Sequence, residues 1–137
     1  MTPKINILVI DDDPICHLIS MKFIQQTGLT NEIYTACNGK LALDLIHTFS
    51  CSKQSIPHVI FVDLNMPILD GFGFIEAFKE LSIPGKDKIQ IAIVTSSIDS
   101  NDRNHANELG IDHFLTKPLS EQTVRSVLEA INGTEIV

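Results

Sequence analysis

The sequence predicts a single α/β domain built on a five-stranded parallel sheet with helices on both faces. Two observations predict it. Short apolar runs rich in Ile and Val alternate with longer segments whose apolar residues recur at helical spacing. Most of the short runs are also too continuously apolar for a sheet with one wet face. The 137 residues are 44% hydrophobic and 20% charged, an ordinary globular composition. A chain of this length can bury roughly two-thirds of the surface exposed by its unfolded form, so no disulfide or structural metal is required.

The first strand is read at Ile5–Ile10. Asp13 then offers a capping carboxylate and Pro14 fills the first helical position, where its missing N–H costs nothing. Gly28 stops this helix, and Cys16, Ile19 and Phe23 are expected to face inward. A second strand, Glu32–Ala36, leads to a helix whose Ala42, Leu45, Ile46 and Phe49 follow the i, i+3, i+4, i+7 pattern. Ser50–His58 is polar and contains proline, and reads as a surface loop. The third strand, Val59–Val62, precedes a helix near Phe72–Leu81 that buries Phe74, Ile75 and Phe78. After the fourth strand, Gln90–Val94, the segment Asn101–Leu109 offers only Ala106 and Leu109 as apolar anchors, so this helix is expected to be loosely held. His113–Thr116 is the last strand. Ser120 caps the last helix, which repeats the apolar stripe at Val124, Val127, Leu128 and Ile131 and runs to Asn132 before Gly133.

Several functional classes are excluded early. A net charge of −7 with no local cluster of Lys and Arg argues against direct contact with nucleic acid or anionic lipid. Cys16, Cys37 and Cys51 are odd in number and lack CxxC spacing, which points to reduced thiols in a cytoplasmic protein rather than a disulfide framework or zinc site. The five histidines show no ligand spacing and read as solvated or packed side chains. No apolar run reaches membrane-spanning length, and the N-terminus does not resemble a signal peptide.

In an open parallel sheet, functional residues gather beyond the carboxyl ends of the strands. Here those ends are polar: Asp11, Asp12 and Asp13 after the first strand, Asp63 after the third, Thr95 and Ser96 after the fourth, and Lys117 after the fifth. Taken alone, Asp11–Asp13 reads equally well as helix caps and dipole partners. Asp63 at a neighbouring strand end shifts the balance toward a site. Carboxylates brought this close repel one another unless a cation compensates. An all-oxygen donor set suits Mg²⁺, with Mn²⁺ as the alternative. Carboxylates, a metal, a hydroxyl and a lysine together suit phosphoryl transfer, with an aspartate able to form an acyl phosphate.

With these residues in place, the chain resembles the receiver domains of two-component response regulators over nearly its whole length. The resemblance is carried by Ile7-Leu8-Val9-Ile10-Asp11-Asp12-Asp13-Pro14, Val62-Asp63-Leu64-Asn65-Met66-Pro67 followed by Asp70-Gly71, Ile93-Val94-Thr95-Ser96 and Phe114-Leu115-Thr116-Lys117-Pro118. It implies a flavodoxin-like fold with strand order 2-1-3-4-5, an order that the general rule for doubly wound sheets itself illustrates with a member of this family. It implies Asp63 as phosphoacceptor, Asp11 and Asp12 with the backbone carbonyl of Asn65 as metal ligands, and Asp13 as a cap outside that shell. Lys117 would pair with the phosphoryl group, the Thr95 hydroxyl would bond it, and the small Ser96 would leave access. Leu64, Phe114 and Pro118 would belong to the switch, with Pro118 at the family's cis-proline position. Phe114 lacks the phenolic hydroxyl that many relatives carry. The implied partners are a sensor histidine kinase or histidine phosphotransfer protein, a downstream protein met at the face of helix 4, strand 5 and helix 5, and a weak or phosphorylation-dependent homodimer.

Met1 and the short tail read as a stand-alone receiver over residues 1–137 with no output domain; a piece of a hybrid kinase is the alternative. Two rival functions remain. The Asp11-Asp12-Asp13 run also fits the DxD of haloacid-dehalogenase-like phosphatases, with Asp11 as nucleophile, but that leaves the motif around Asp63 unexplained. A receiver-like binding module that never handles phosphate would be expected to lack an acidic residue or the lysine, and none is missing.

Overall fold

The computed structural model describes residues 5–51, 56–66, 68–96, 99–111, 113–117 and 119–132. Five strands alternate with five helices: β1 (Ile5–Ile10), α1 (Pro14–Gln26), β2 (Thr30–Ala36), α2 (Gly39–Cys51), β3 (Val59–Asp63), α3 (Gly71–Glu80), β4 (Gln90–Thr95), α4 (Ser100–Glu108), β5 (His113–Thr116) and α5 (Glu121–Asn132). A 3₁₀ turn at Lys86–Lys88 precedes β4. The strands lie in the order β2-β1-β3-β4-β5, all pairs parallel, as the resemblance implied. Among the described residues no helix is long and apolar enough to cross a membrane.

Successive strand residues point to opposite faces, and this divides the core in two. Leu8, Ile10, Ile60, Val62, Ile91 and Ile93 pack with Ala42, Ile46, Phe74, Ile75, Phe78 and Ala106, so α2, α3 and α4 cover one face. Ile7, Val9, Val59, Phe61, Ala92 and Val94 pack with Ile24, Val124, Val127, Leu128 and Ile131, so α1 and α5 cover the other. Both faces are dry at the centre of the sheet, which is why β1, β3 and β4 are apolar at nearly every position, whereas the edge strands β2 and β5 are more polar. The stripes read for α2, α3 and α5 are the buried ones, although Leu45 is only half-buried.

The face read for α1 is corrected. Ser20 and Ile24 are its buried residues, Cys16 and Phe23 are half-buried, and Ile19 is 44% exposed. The inward line is centred on Ser20 and Ile24, with Phe23 packed at its edge and Ile19 turned outward. Several boundaries also move. β2 starts at Thr30 because Ile5 pairs with it. The β3 and β4 ladders each extend one residue further, to Asp63 and Thr95, and α2 continues to Cys51 inside the expected loop.

Helix starts are fixed by side chains, as capping chemistry requires. The Asp13 carboxylate accepts from the Ile15 N–H at 2.9 Å, Asp70 from Gly73 at 2.8 Å, and Asp99 from Asn101 at 2.9 Å. Ser120 Oγ accepts from the Thr123 N–H at 3.2 Å, while Thr123 Oγ1 accepts from the Ser120 N–H at 3.1 Å. α4 buries only Ala106 among its own residues, in line with its expected loose seating.

Candidate functional site

β1 and β3 lie side by side at the centre of the sheet, so their carboxyl ends deliver Asp11 and Asp63 to one crevice. Both are almost completely buried, at 5% and 6% exposure, whereas Asp12 is exposed. Carboxylate oxygens of Asp11, Asp12 and Asp63 all lie within 4.8 Å of one another. From the end of β5, Lys117 Nζ reaches Asp11 Oδ2 at 3.0 Å and Asp63 Oδ2 at 3.2 Å. The remaining oxygens are held by backbone. Asp11 Oδ1 accepts from the Asp13 N–H at 2.9 Å, and Asp63 Oδ1 from the Asn65 N–H at 3.2 Å.

The electrostatics follow from burial and from this one lysine. Burial pushes the Asp63 carboxyl above the ordinary aspartate range, and the Asn65 N–H and Lys117 only partly offset it. For Lys117 burial acts downward, but the hydrogen bond to Asp11 and the charges of Asp63 and Asp11 outweigh it and raise its pKa. The exposed Asp13 carboxyl is lowered, chiefly by the Ile15 N–H it caps. Asp13 therefore works on α1, outside the three-carboxylate group. Three carboxylate oxygens with no imidazole or thiolate among them form a donor set that suits a hard divalent ion such as Mg²⁺.

The other expected residues that are described lie in or just beyond β3, β4 and β5. Thr95 is fully buried at the end of β4, and its carbonyl accepts from the Lys117 N–H at 2.7 Å, joining the ends of β4 and β5. Ser96 follows, exposed. Phe114 is half-buried against the α2–α3–α4 core, with the Arg103 guanidinium 5.0 Å from its ring centre. Leu64 is buried behind Asp63, and its carbonyl accepts from the Gly71 N–H at 3.0 Å. Pro118 lies outside the described residues.

A family model for the response regulator receiver domain matches residues 7–129. The chain belongs to the response regulator receiver family. It is 30% identical over 129 residues to two-component response regulator 24 of Arabidopsis thaliana, covering 94% of this chain and 85% of that protein. It is 27% identical over 130 residues to a probable chemotaxis protein CheY of Rhizobium etli, covering 95% and 94%. The crystal structure of a two-component response regulator from Cytophaga hutchinsonii superimposes with a TM-score of 0.86 at 27% identity, covering 95% of this chain and 98% of that one. Membership brings phosphorylation-dependent signalling, in which receivers meet histidine kinases and phosphotransfer proteins, and an acidic pocket of the kind that binds Mg²⁺.

Three features of this receiver were not foreseen. Cys16 in the first turn of α1 lies beside the site, its Sγ 3.9 Å from Lys117 Nζ, and burial followed by the Asp11 charge raises the thiol pKa. α1 presents Ile15, Leu18 and Ile19 to solvent at 66%, 69% and 44% exposure, an apolar face continuous with Cys16. Ile68, in the loop after Asp63, has a left-handed backbone (φ 71°) and is 78% exposed. A left-handed conformation costs an ordinary residue about 1–2 kcal/mol, and a β-branched side chain makes it rarer still. Ile68→Gly removes that cost and gives up little packing, against roughly 0.5–1 kcal/mol of extra backbone entropy in the unfolded chain. The variant is expected to be more stable by up to about 1 kcal/mol in urea unfolding. A loss of stability would show that the exposed isoleucine makes contacts that outweigh its backbone conformation.

Proposed function

We propose that this receiver is a phosphorylation switch in which Asp63 takes a phosphoryl group from a phosphohistidine of a sensor histidine kinase or a histidine phosphotransfer protein. The observation that carries the proposal is Lys117 Nζ placed between Asp11 and Asp63, at 3.0 and 3.2 Å. A lysine held there by two carboxylates stands ready to pair with a phosphoryl oxygen once one carboxylate is esterified. In the transfer, an Asp63 oxygen attacks phosphorus, the phosphorus–nitrogen bond of the donor breaks, and the imidazole leaves with its electron pair and takes up a proton.

Asp11, Asp12, Asp63 and the backbone carbonyl of Asn65 would hold Mg²⁺. When bound, the ion neutralises phosphoryl oxygens as charge develops on them. Thr95 donates its hydroxyl to the new group, and Ser96 is small enough to leave the phosphorus accessible. A dianion on Asp63 draws Thr95 and Lys117 inward, and Leu64, Pro118 and Phe114 move with their loops. Phe114 already rests half in the core with Arg103 over its ring, and α4 is thinly anchored, so the α4–β5–α5 face is the part most easily remodelled for a downstream protein or a second receiver. The protein catalyses only its own phosphorylation and dephosphorylation, in the cytoplasm. The exposed Ile15, Leu18 and Ile19 beside the crevice fit a protein donor with an apolar helix face better than a small metabolite.

Incubation with Mg²⁺ and acetyl phosphate is expected to give an acid-stable, alkali-labile adduct, which borohydride reduction and mass spectrometry place on Asp63. Asp63→Asn should remove it. Labelling of Asp11 instead, or steady release of phosphate from varied monoesters, would overturn the assignment in favour of a phosphatase.

A further inference from the structure

We propose that His47 and Cys51 form a second metal site, a two-residue clamp for a borderline or soft divalent ion such as Zn²⁺ at the C-terminal end of α2. The two residues are one helical turn apart, and side chains at i and i+4 lie on one face of a helix. Both are exposed, so the face is open to an ion from solution. Cys51 Sγ and His47 Nε2 stand 3.6 Å apart. A tetrahedral ion that holds a thiolate at about 2.3 Å and an imidazole nitrogen at about 2.0–2.1 Å separates its two donors by about 3.6 Å. The pair is thus already spaced for chelation.

The electrostatic setting agrees. The last turn of α2 carries the negative end of the helix dipole, and no basic side chain within that turn offsets it. α2 begins at the carboxyl edge of the sheet and runs back, which puts Cys51 at the opposite edge from Asp63. The two sites also differ in chemistry: oxygen donors suit Mg²⁺, whereas sulfur and imidazole select zinc-like metals. Cys16 offers no such site, because Lys117 Nζ sits 3.9 Å from its sulfur and repels a cation. Two protein ligands leave two positions for water or for a donor from another molecule, and binding releases the thiol proton, so affinity rises with pH.

Co²⁺ titration of the reduced protein in excess Mg²⁺ tests the site through the thiolate-to-cobalt charge-transfer band in the near ultraviolet. The band is expected to saturate, to disappear on addition of Zn²⁺, and to be absent in Cys51→Ser. His47→Gln should weaken binding by about tenfold or more, while Cys16→Ser and Cys37→Ser keep the band. Circular dichroism serves as the check that these exposed substitutions leave the fold intact. Absence of a band in the wild-type protein, its persistence in Cys51→Ser, or indifference to His47→Gln would each overturn the assignment.

Discussion

Lys117→Met is expected to destabilise the metal-free protein by about 2–3 kcal/mol at pH 7, and Mg²⁺ is expected to return most of that loss. Among the described residues, the lysine is the only cation in contact with two carboxylates whose side chains are 7% and 8% exposed. Removing one partner of a buried ion pair typically costs about 3–5 kcal/mol, because the remaining charge is left without compensation. The Lys117 side chain is 23% exposed, so water screens part of the effect and the lower figure applies. Methionine keeps the apolar stem, which isolates charge from packing. The pH dependence has a definite sign. Burial already raises the Asp63 pKa, and a raised carboxyl contributes stability that is complete below its unfolded value of about 3.9 and is lost as pH rises through the folded value. Without Lys117 that rise grows, so the deficit should be largest at neutral pH and shrink toward pH 5. A divalent ion at a hundredfold excess over its dissociation constant adds about 2.7 kcal/mol, enough to cover the deficit. Urea unfolding at pH 5 and 7, with and without Mg²⁺, measures all of this. A loss indifferent to both pH and Mg²⁺ would assign the role of Lys117 to its methylenes.

The strand ends were legible because a parallel sheet buried on both faces has few ways to read. Continuous apolar runs such as Ile7–Ile10 and Val59–Val62 must stop where the chain leaves the sheet, and the polar residues that follow share one edge. That rule alone placed Asp11, Asp63, Thr95 and Lys117 together. Strand order was not legible from pattern, since any two of these runs could pair, and it came from resemblance. α1 misled for a different reason. Ile15, Cys16, Leu18, Ile19, Met21, Phe23 and Ile24 put apolar groups on more than one side of the helix, so periodicity does not choose a face. The buried line includes Ser20 and Thr27, whose hydroxyls hide it from a hydrophobic count. Thr27 satisfies its own hydroxyl by donating to the Ile24 carbonyl at 2.7 Å. Ile68 could not be foreseen at all, because a β-branched residue is a poor choice for a left-handed backbone. Such local conflict is expected where a loop is shaped for function rather than for stability.

Gly71 and Gly73 lie in the same turn of α3, and replacing each with alanine should separate backbone crowding from side-chain crowding. A Cβ on Gly71 would stand 2.6 Å from the Asp63 carbonyl oxygen and 2.8 Å from Leu64 Cα, both backbone atoms of the segment that carries the proposed phosphoacceptor. Neither can rotate away. Relief requires moving the end of β3, where Asp63 pairs with Val94, or the start of α3, whose Gly71 N–H bonds Leu64. Gly71→Ala is therefore expected to cost about 2–4 kcal/mol and to slow labelling of Asp63 by acetyl phosphate. At Gly73 the tightest contact, 2.7 Å, is with Leu69 Cδ1, the tip of a half-buried side chain that can turn. Alanine also gains about 0.5–1 kcal/mol over glycine within a helix. Gly73→Ala should therefore stay within about 1 kcal/mol of the wild type and keep its labelling rate. Urea unfolding and acetyl phosphate labelling of the two variants side by side decide the matter. Equal losses would mean that the approach of α3 to Asp63 is set by helix packing as a whole, and not by the single backbone contact at Gly71.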